Sequence, residues 1–376
     1  MISLIAKVVA HFRVNKIQKT YTKVIKTQDD ILLRLIKKAA NTKFGKDHKF
    51  TTISNYEEFK KIVPIRDYES IKNYIKDIQS GKENILWPGK PKYLAKTSGT
   101  TSGTKYIPIT KESLPFHIKS SRDAILFYIK QTGESEFLNG KNIFIQGSPV
   151  LENMNGILIG RLSGIVAHHV PKYLQARNLP TMKTNSIDDW ESKIDAICEE
   201  TCDKDLRVIG GIPSWVQMYL ERLLHNKKEK KVIDLFNNLS LFVYGGVNFE
   251  PYKRIFFKLI GRKINTIEYY PASEGFFAYQ NDQNDSSLLL QYNSEIFYEF
   301  VEVDQIEKKH PNRLNLSQVV LNKNYVMIIS SNAGLWAYNT GDTVMFKSLN
   351  PPKIIVTGRY KPVSYTHLTL PTSVTV

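Results

Sequence analysis

The sequence has few cysteines, and it lacks a long uninterrupted apolar run. Its 376 residues include two cysteines, Cys198 and Cys202, which are too few for a disulfide framework or a four-ligand zinc site. A low cysteine content is typical of a reducing compartment, so we expect a cytoplasmic protein. Residues 2–10 are apolar, but Lys7 interrupts them, and a spanning helix needs about 20 apolar residues. No small-residue cleavage site follows, which argues against a signal peptide.

Acidic residues are also scarce relative to basic ones. Lys and Arg number 52 against 36 Asp and Glu, which gives a net charge of +16. Residues 1–50, which we expect to form basic helices, hold twelve Lys or Arg, three Asp and no Glu. Such a segment can bind nucleic acid or anionic lipid, or form a solvated helical face, which is the interpretation we favour. No recognition helix, zinc finger or RNA-binding motif is present, so we expect no nucleic-acid partner.

The distribution of apolar residues predicts a mixed α/β fold. Two helical stretches open the chain, and the second is expected to begin near Thr27, with Asp30 completing a capping box. Further along, short β-branched runs alternate with helical stretches, which is typical of α/β proteins. The later strands follow one another closely, which favours an antiparallel part or a small barrel. The predicted strands are residues 142–146, 206–210, 241–244, 266–270, 296–303, 325–330 and 354–357, and helices are predicted at 214–225 and 251–260.

The most distinctive local feature is a hydroxyl-rich loop, TSGTTSGTK, at residues 97–105. Its two glycines allow a tight turn that brings backbone N–H groups close to an anion. Its hydroxyls add donors, and Lys105 adds a positive charge for a polyphosphate. Only three residues separate Gly99 from Gly103, so the loop is not a Walker A motif. A flexible surface loop is the alternative interpretation.

Three further segments follow predicted strands. YGGV at 244–247 offers bare glycine backbone on which a flat ring can lie, although a plain strand-ending turn has the same composition. EYYPASEG at 268–275 offers an aromatic ring for a base and a carboxylate for Mg²⁺, or forms a buried Tyr pair and a surface Glu. YNTGD at 338–342 offers a carboxylate that can accept hydrogen bonds from ribose hydroxyls, or forms an ordinary Gly-Asp turn. Taken in this order, the four segments resemble the nucleotide site of the adenylate-forming superfamily.

Within that superfamily the chain resembles the GH3 family of acyl-acid amido synthetases, from about Asp29 to Lys361. The matching segments are KKAANT at 37–42, VPIRDY at 63–68, LWPG at 86–89, the hydroxyl-rich loop, GIPSW at 211–215, GGVNFEPY at 245–252, SEGFF at 273–277, NAGLW at 332–336, GDTV at 341–344 and TGR at 357–359. The resemblance implies the large domain of the adenylate-forming fold. It also implies that ATP activates a small carboxylic acid to an acyl-adenylate, which an amino acid then converts to an amide.

The resemblance also implies site roles for individual residues. Lys105 and Glu274 would be catalytic, and Glu274 would bind Mg²⁺. The nucleotide-binding residues would be Ser98, Gly99, Thr100 and Thr101 at the phosphates, Gly245, Gly246 and Tyr270 at the adenine, Ser273 near the α-phosphate, and Asp342 with Arg359 at the ribose. The acyl pocket is expected among the helices of residues 116–175, with Phe116, Phe127 or Tyr173 as its aromatic lining; core packing is the alternative for each. The identity of the acid is not implied, and neither auxin nor jasmonate is indicated.

The resemblance stops after Lys361, so we expect one adenylate-forming large domain at residues 1–361. Residues 362–376 form a tail that is foreign to the family, and the family's small C-terminal domain is expected to be missing. Because that domain closes over the site and brings a catalytic lysine, we expect slow adenylation or none. Two other functions stay open: an acid–thiol ligase that uses coenzyme A, and a non-catalytic basic protein that binds membrane or nucleic acid.

Overall fold

The structure is a computed structural model that describes residues 2–98 and 103–360. Five α-helices, within residues 2–79, precede the first strand. The α-helices are α1 Ile2–Gln18, α2 Val24–Ala39, α3 Lys43–Asp47, α4 Tyr56–Ile62, α5 Tyr68–Gln79, α6 Leu114–Thr132, α7 Leu162–Ala167, α8 Lys172–Gln175, α9 Met182–Asn185, α10 Trp190–Thr201, α11 Pro213–Lys227, α12 Val232–Leu235 and α13 Glu250–Ile260. Short 3-10 helices lie at Tyr21–Lys23, Phe50–Thr52, Glu136–Asn139 and Val303–Gln305.

The strands form a small sheet and a large one. The strands are β1 Tyr93–Ser98, β2 Thr104–Ile109, β3 Lys141–Ile145, β4 Glu152–Met154, β5 Ile157–Gly160, β6 Asn178–Leu179, β7 Leu206–Gly211, β8 Leu241–Gly245, β9 Asn265–Ala272, β10 Gly275–Gln280, β11 Leu288–Leu290, β12 Ile296–Glu302, β13 Asn324–Ser331, β14 Tyr338–Leu349 and β15 Pro352–Arg359. The small sheet has the order β2-β1-β5-β4, and the large sheet has the order β12-β13-β14-β15-β11-β10-β9-β8-β7-β3-β6.

The large sheet changes character at β9. From β6 to β9 its neighbouring strands are parallel, and from β9 through β10 to β12 they are antiparallel. Helices cover both faces of the parallel half: α10, α11 and α13 pack on one face, and α1 and α6 pack on the other. This two-sided cover explains why β7 and β8 are apolar along most of their length. A third apolar core joins α2, α3 and α5 to the small sheet and the antiparallel half.

The predicted strands and the helices predicted at 214–225 and 251–260 are confirmed, and their predicted ends lie within two residues of the observed ones. Of the two alternatives for the later strands, the antiparallel continuation of the large sheet is the one observed, and the pairings among the described strands do not close a barrel. The predicted start of the second helix is wrong: α2 begins at Val24, so Thr27 and Asp30 lie inside it. Within residues 2–98 and 103–360, no helix is long and apolar enough to cross a membrane.

Candidate active site

The parallel strands β7, β8 and β9 end at one edge of the large sheet, and two glycines shape that edge. A Cβ on Gly245 would lie 2.5 Å from the carbonyl oxygen of Tyr269 on the neighbouring strand, so β8 can approach β9 only with glycine there. Gly246 has a φ of +85°, a conformation that favours glycine. Ligands of open α/β sheets bind at the carboxyl ends of parallel strands, which makes this edge the place to look for a site.

The next part of the site is a tight hairpin between β9 and β10. Ala272 pairs with Gly275, so Ser273 and Glu274 form the two-residue tip of the hairpin. Both side chains are half-buried. The hairpin starts where the sheet changes from parallel to antiparallel, and it therefore projects from the edge that carries the glycines.

A chain of polar contacts links three strands beside this hairpin. The Tyr270 hydroxyl donates a hydrogen bond of 2.6 Å to Oδ2 of Asp342, and Nε of Arg359 lies 3.0 Å from Oδ1 of the same carboxylate. Asp342 and Arg359 are directly paired residues of β14 and β15, which explains how the ion pair is fixed. The Asp342 side chain is 13% exposed, whereas that of Arg359 is 49% exposed. The ion pair therefore has its carboxylate near the core and its guanidinium at the surface.

Glu274 completes an acidic pair with Asp342. Burial raises the pKa of the Glu274 carboxyl, and the negative charge of Asp342 adds to that effect. The backbone N–H of Glu274 and the cations Lys105 and Arg359 act in the opposite direction. Burial likewise raises the pKa of Asp342, against the effects of Arg359 and of the Tyr270 hydroxyl. The two carboxylates therefore carry an unfavourable buried charge that a further cation would relieve.

The small sheet brings Lys105 to this cluster. Lys105 is the second residue of β2 and pairs with Thr97 of β1, next to the hydroxyl-rich loop. Its Nζ atom lies 5.7 Å from the centre of the Tyr68 ring, and the Tyr68 hydroxyl accepts a hydrogen bond of 3.0 Å from the backbone of Tyr106. Lys105, next to the hydroxyl-rich loop, thus lies near enough to Glu274 for its positive charge to lower the pKa of the Glu274 carboxyl.

The VPIRDY segment joins the site through the backbone. The amide of Arg66 donates to Ala337, and the amide of Asn339 donates to Arg66, so the segment runs alongside the start of β14. Asp67 then caps α5 by accepting from the backbone of Ser70 at 2.9 Å. Tyr338, which is 3% exposed, has a pKa well above its ordinary value because of burial, with Glu274, Tyr68 and Asp67 adding to the effect. The sequence interpretation assigned no role to Tyr68, Asp67 or Tyr338. Asp67 and Tyr68 lie in the VPIRDY segment and Tyr338 in the YNTGD segment, and these positions were the available signal.

Other predicted site residues have different outcomes. Ser98 ends β1 and pairs with Thr104, whereas Gly99, Thr100 and Thr101 lie outside the described residues. Phe127 is buried between α6 and the sheet, where its ring centroid lies 5.8 Å from that of Tyr279. This position agrees with core packing, and its assignment to an acyl pocket stays a prediction.

The remaining aromatic assignments stay predictions. Phe116 is half-buried on α6, and Tyr173 lies in the short helix α8. The Tyr270 ring is buried edge-to-face against Phe277 at 5.2 Å, and the contact observed for its hydroxyl is with Asp342. Its stacking on an adenine also stays a prediction.

Comparisons with known proteins agree with this architecture. The model of the GH3 family N-terminal domain matches residues 13–264. This match begins before Asp29, where the resemblance seen in the sequence begins. The model of the GH3 family central domain matches residues 289–359. The indole-3-acetic acid-amido synthetase GH3.15 of Arabidopsis thaliana is 33% identical over 142 residues, which are 37% of this chain and 23% of that protein. The matched segment therefore spans less than a quarter of this curated relative.

Solved structures show the same fold. A GH3.15 acyl acid amido synthetase superposes with a TM-score of 0.75 at 16% identity, covering 93% of this chain and 70% of that one. A 2-hydroxyisobutyryl-CoA ligase superposes with a TM-score of 0.54 at 11% identity, covering 92% and 73%. The chain therefore shares the fold of these two enzymes. Because the N-terminal model alone matches more than half of the residues, the chain belongs to the GH3 family.

Proposed function

We propose that this protein uses ATP to convert a small carboxylic acid to an acyl-adenylate and transfers the acyl group to the amine of an amino acid. The observation that supports the proposal is the cluster of Glu274, Asp342, Lys105 and Arg359 at the carboxyl edge of the large sheet. Membership of the GH3 family supports the same reaction.

The proposed reaction has two displacements. A carboxylate oxygen of the acid bonds to the α-phosphorus of ATP while the bond from that phosphorus to the bridging oxygen breaks, which releases pyrophosphate. The amine nitrogen then bonds to the acyl carbon, AMP leaves, and the amine loses a proton. The first step requires alignment of the attacking oxygen and neutralisation of phosphate charge, and it requires no protein nucleophile.

The residues of the cluster fit these requirements. Lys105 stands beside the hydroxyl-rich loop and supplies positive charge for the phosphates. An ionised carboxylate has about four acceptor positions. Tyr270 and Arg359 each use one position on Asp342, so two remain for the two ribose hydroxyls. Gly245 and Gly246 leave the edge of β8 free of side chains, which suits close approach of a flat ring.

We also propose that Glu274 holds Mg²⁺. Magnesium sites beside phosphates use one or two protein carboxylates, with substrate oxygens completing the shell. Glu274 fits this pattern, because partial burial and the negative charge of Asp342 disfavour its ionised carboxylate, which a cation would stabilise. In the described part of the chain no group of three or more His, Cys, Asp or Glu side chains is arranged to hold a metal without a substrate. A bound Mg²⁺ would neutralise part of the negative charge of the phosphates.

The acceptor and the compartment belong to the same proposal. Family membership favours an amino acid over coenzyme A, and the likeness to the coenzyme A ligase concerns the fold. Product analysis with each acceptor separates the two.

Cys198 and Cys202 are both free thiols, which supports a reducing compartment such as the cytoplasm.

The test is Mg-ATP binding to the full chain by calorimetry, with Glu274→Gln and the surface control Glu57→Gln. We expect the wild type and the control to bind and Glu274→Gln to bind at least about tenfold more weakly, because a charged ligand to the metal is lost. ATP–pyrophosphate exchange with aryl and aliphatic acids then identifies the substrate. A wild type that fails to bind Mg-ATP would refute the function, and equal binding by Glu274→Gln would refute the site.

A further inference from the structure

Helix α1 presents an apolar stripe to the exterior. Leu4, Val8 and Phe12 recur every four residues and therefore lie on one face of the helix, and Ile5 lies beside them. Their exposed fractions are 69%, 51%, 70% and 56%. Ile2 and Val9, each 47% exposed, extend the stripe. Within the described residues, six large apolar side chains are thus exposed on about three turns of one helix, whereas a surface helix ordinarily turns its apolar face to the core.

The stripe is held in a fixed orientation, because the opposite face of α1 is anchored to the body. Ala10 and Val14 are fully buried in the core shared with α6. Arg13 donates two hydrogen bonds, of 2.9 and 2.6 Å, to the carboxylate of Asp123 on α6. Near the end of the helix, Nζ of Lys130 donates to Asn15 at 2.6 Å. The helix therefore cannot turn its exposed face inward without breaking a half-buried ion pair.

Positive charge accompanies the stripe. Residues 2–28 contain no Asp or Glu. Five lysines on or just after α1 are exposed, and none of them lies within 4 Å of an acidic side chain among the described residues; they are Lys7, Lys16, Lys19, Lys23 and Lys26. Arg13 is neutralised by Asp123. Exposed apolar side chains flanked by unpaired lysines complement a surface that is both apolar and anionic.

Two other occupants fit less well. The stripe occupies about three turns of α1, or about 16 Å, so at a width of about 10 Å it covers roughly 160 Å², well below the roughly 800 Å² per partner of a stable dimer. Nucleic acid is bound mainly through phosphate contacts, and exposed Leu, Val and Phe side chains contribute nothing to these. An anionic membrane surface uses both the apolar side chains and the lysines.

We propose that α1 docks this protein on anionic lipid bilayers, lying in the plane of the interface. The stripe would enter the boundary between headgroups and acyl chains, and the lysines would remain at the level of the phosphates. This inference goes beyond the proposed function, because α1 contributes none of the residues of the active-site cluster. Membrane binding is therefore expected with or without ATP.

The experiment is co-sedimentation of the full chain with vesicles of phosphatidylcholine alone and of phosphatidylcholine with 30% phosphatidylglycerol. We expect binding to the anionic vesicles that weakens with added salt. Replacing Val8 and Phe12 together by Ser should weaken it at least about tenfold, whereas Val320→Ser, at a residue that is 53% exposed outside α1, should not. Each of Lys16→Gln and Lys19→Gln should weaken it about fivefold, and Lys308→Gln should not.

Circular dichroism on each variant verifies that the fold is retained. Equal binding to both vesicle types, or binding unchanged in the Val8 and Phe12 variant, would overturn the proposal. So would the absence of vesicle binding together with a stable dimer in light scattering. Binding to a DNA duplex that persists in that variant, without vesicle binding, would assign the basic residues to nucleic acid instead.

Discussion

Replacing Asp342 with asparagine keeps the shape of the side chain and removes its charge. In the structure Oδ2 of Asp342 accepts from Tyr270 and Oδ1 faces Arg359, which leaves two acceptor positions for the ribose. An asparagine has one oxygen, and its hydrogen bond with Tyr270 leaves at most one acceptor position, without charge. At least one charge-assisted hydrogen bond to ATP is therefore lost. Such a bond contributes about 1.5–3 kcal/mol, so we expect Mg-ATP to bind roughly 10- to 150-fold more weakly.

The assay is calorimetric titration of wild type and Asp342→Asn with Mg-ATP and with the Mg complex of 2′,3′-dideoxy-ATP. The four measurements form a double-mutant cycle that isolates the coupling between the carboxylate and the ribose hydroxyls. We expect the wild type to prefer ATP over the dideoxy analogue and the variant to lose most of that preference. Asp304→Asn, at an exposed acidic residue just after β12, serves as the control. A wild type that binds both nucleotides equally would show that Asp342 does not contact the ribose.

Three further changes test the folded state. Glu299→Gln should lower the free energy of unfolding by about 3–5 kcal/mol in urea titrations, because it leaves the buried charge of Arg313 without its partner. Glu274→Gln should raise the melting temperature of the nucleotide-free protein at pH 7. Burial raises the pKa of Glu274, so the folded state holds this proton more tightly than the unfolded state, and ionisation at neutral pH costs stability. The gain should vanish below about pH 4, where the carboxyl is protonated in both states. Gly245→Ala should cost about 1–3 kcal/mol, because its Cβ would meet the carbonyl oxygen of Tyr269 at 2.5 Å.

Two of these tests have a control. Replacing Glu299 and Arg313 together by Met should recover much of the lost stability, since no charge is then buried. Glu57→Gln should leave the melting temperature almost unchanged at both pH values. If Glu274→Gln instead melts at a lower temperature at pH 7, the acidic pair is not a source of instability. Unchanged stability in Gly245→Ala would mean that β8 can move away from β9.

The strands of the parallel half could be predicted from the sequence because they are short β-branched runs buried on both faces. The start of α2 could not, because Thr27 and Asp30 imitate a cap while the chain enters the helix from the 3-10 turn at Tyr21–Lys23. Local hydrogen-bonding patterns compete with tertiary packing at such boundaries. Val24 is buried against the core, which extends the helix past the apparent cap.

The sequence singled out the acidic and basic residues of the cluster, but it did not show the contacts among them. Asp342 and Arg359 were assigned to one ligand, and their direct pairing across β14 and β15 is visible only in the structure. The contact of Tyr270 with Asp342 joins residues from strands that are separated by three others in the sheet. The sequence left core packing and pocket lining open for Phe127, because a buried aromatic on a helix has the same sequence pattern in a core and in a pocket.

The backbone contacts between Arg66 and the start of β14 have a consequence for the order of events during biosynthesis. They join positions near opposite ends of the described chain, and bringing distant segments together has a loop-closure cost before any contact forms. On a ribosome, the segment that ends in Asp67 and Tyr68 emerges long before its partner strand is translated. The cluster around Glu274 can therefore assemble only late in synthesis, and a nascent chain that stops before β14 would contain Tyr68, Lys105 and Glu274 without Asp342 and Arg359.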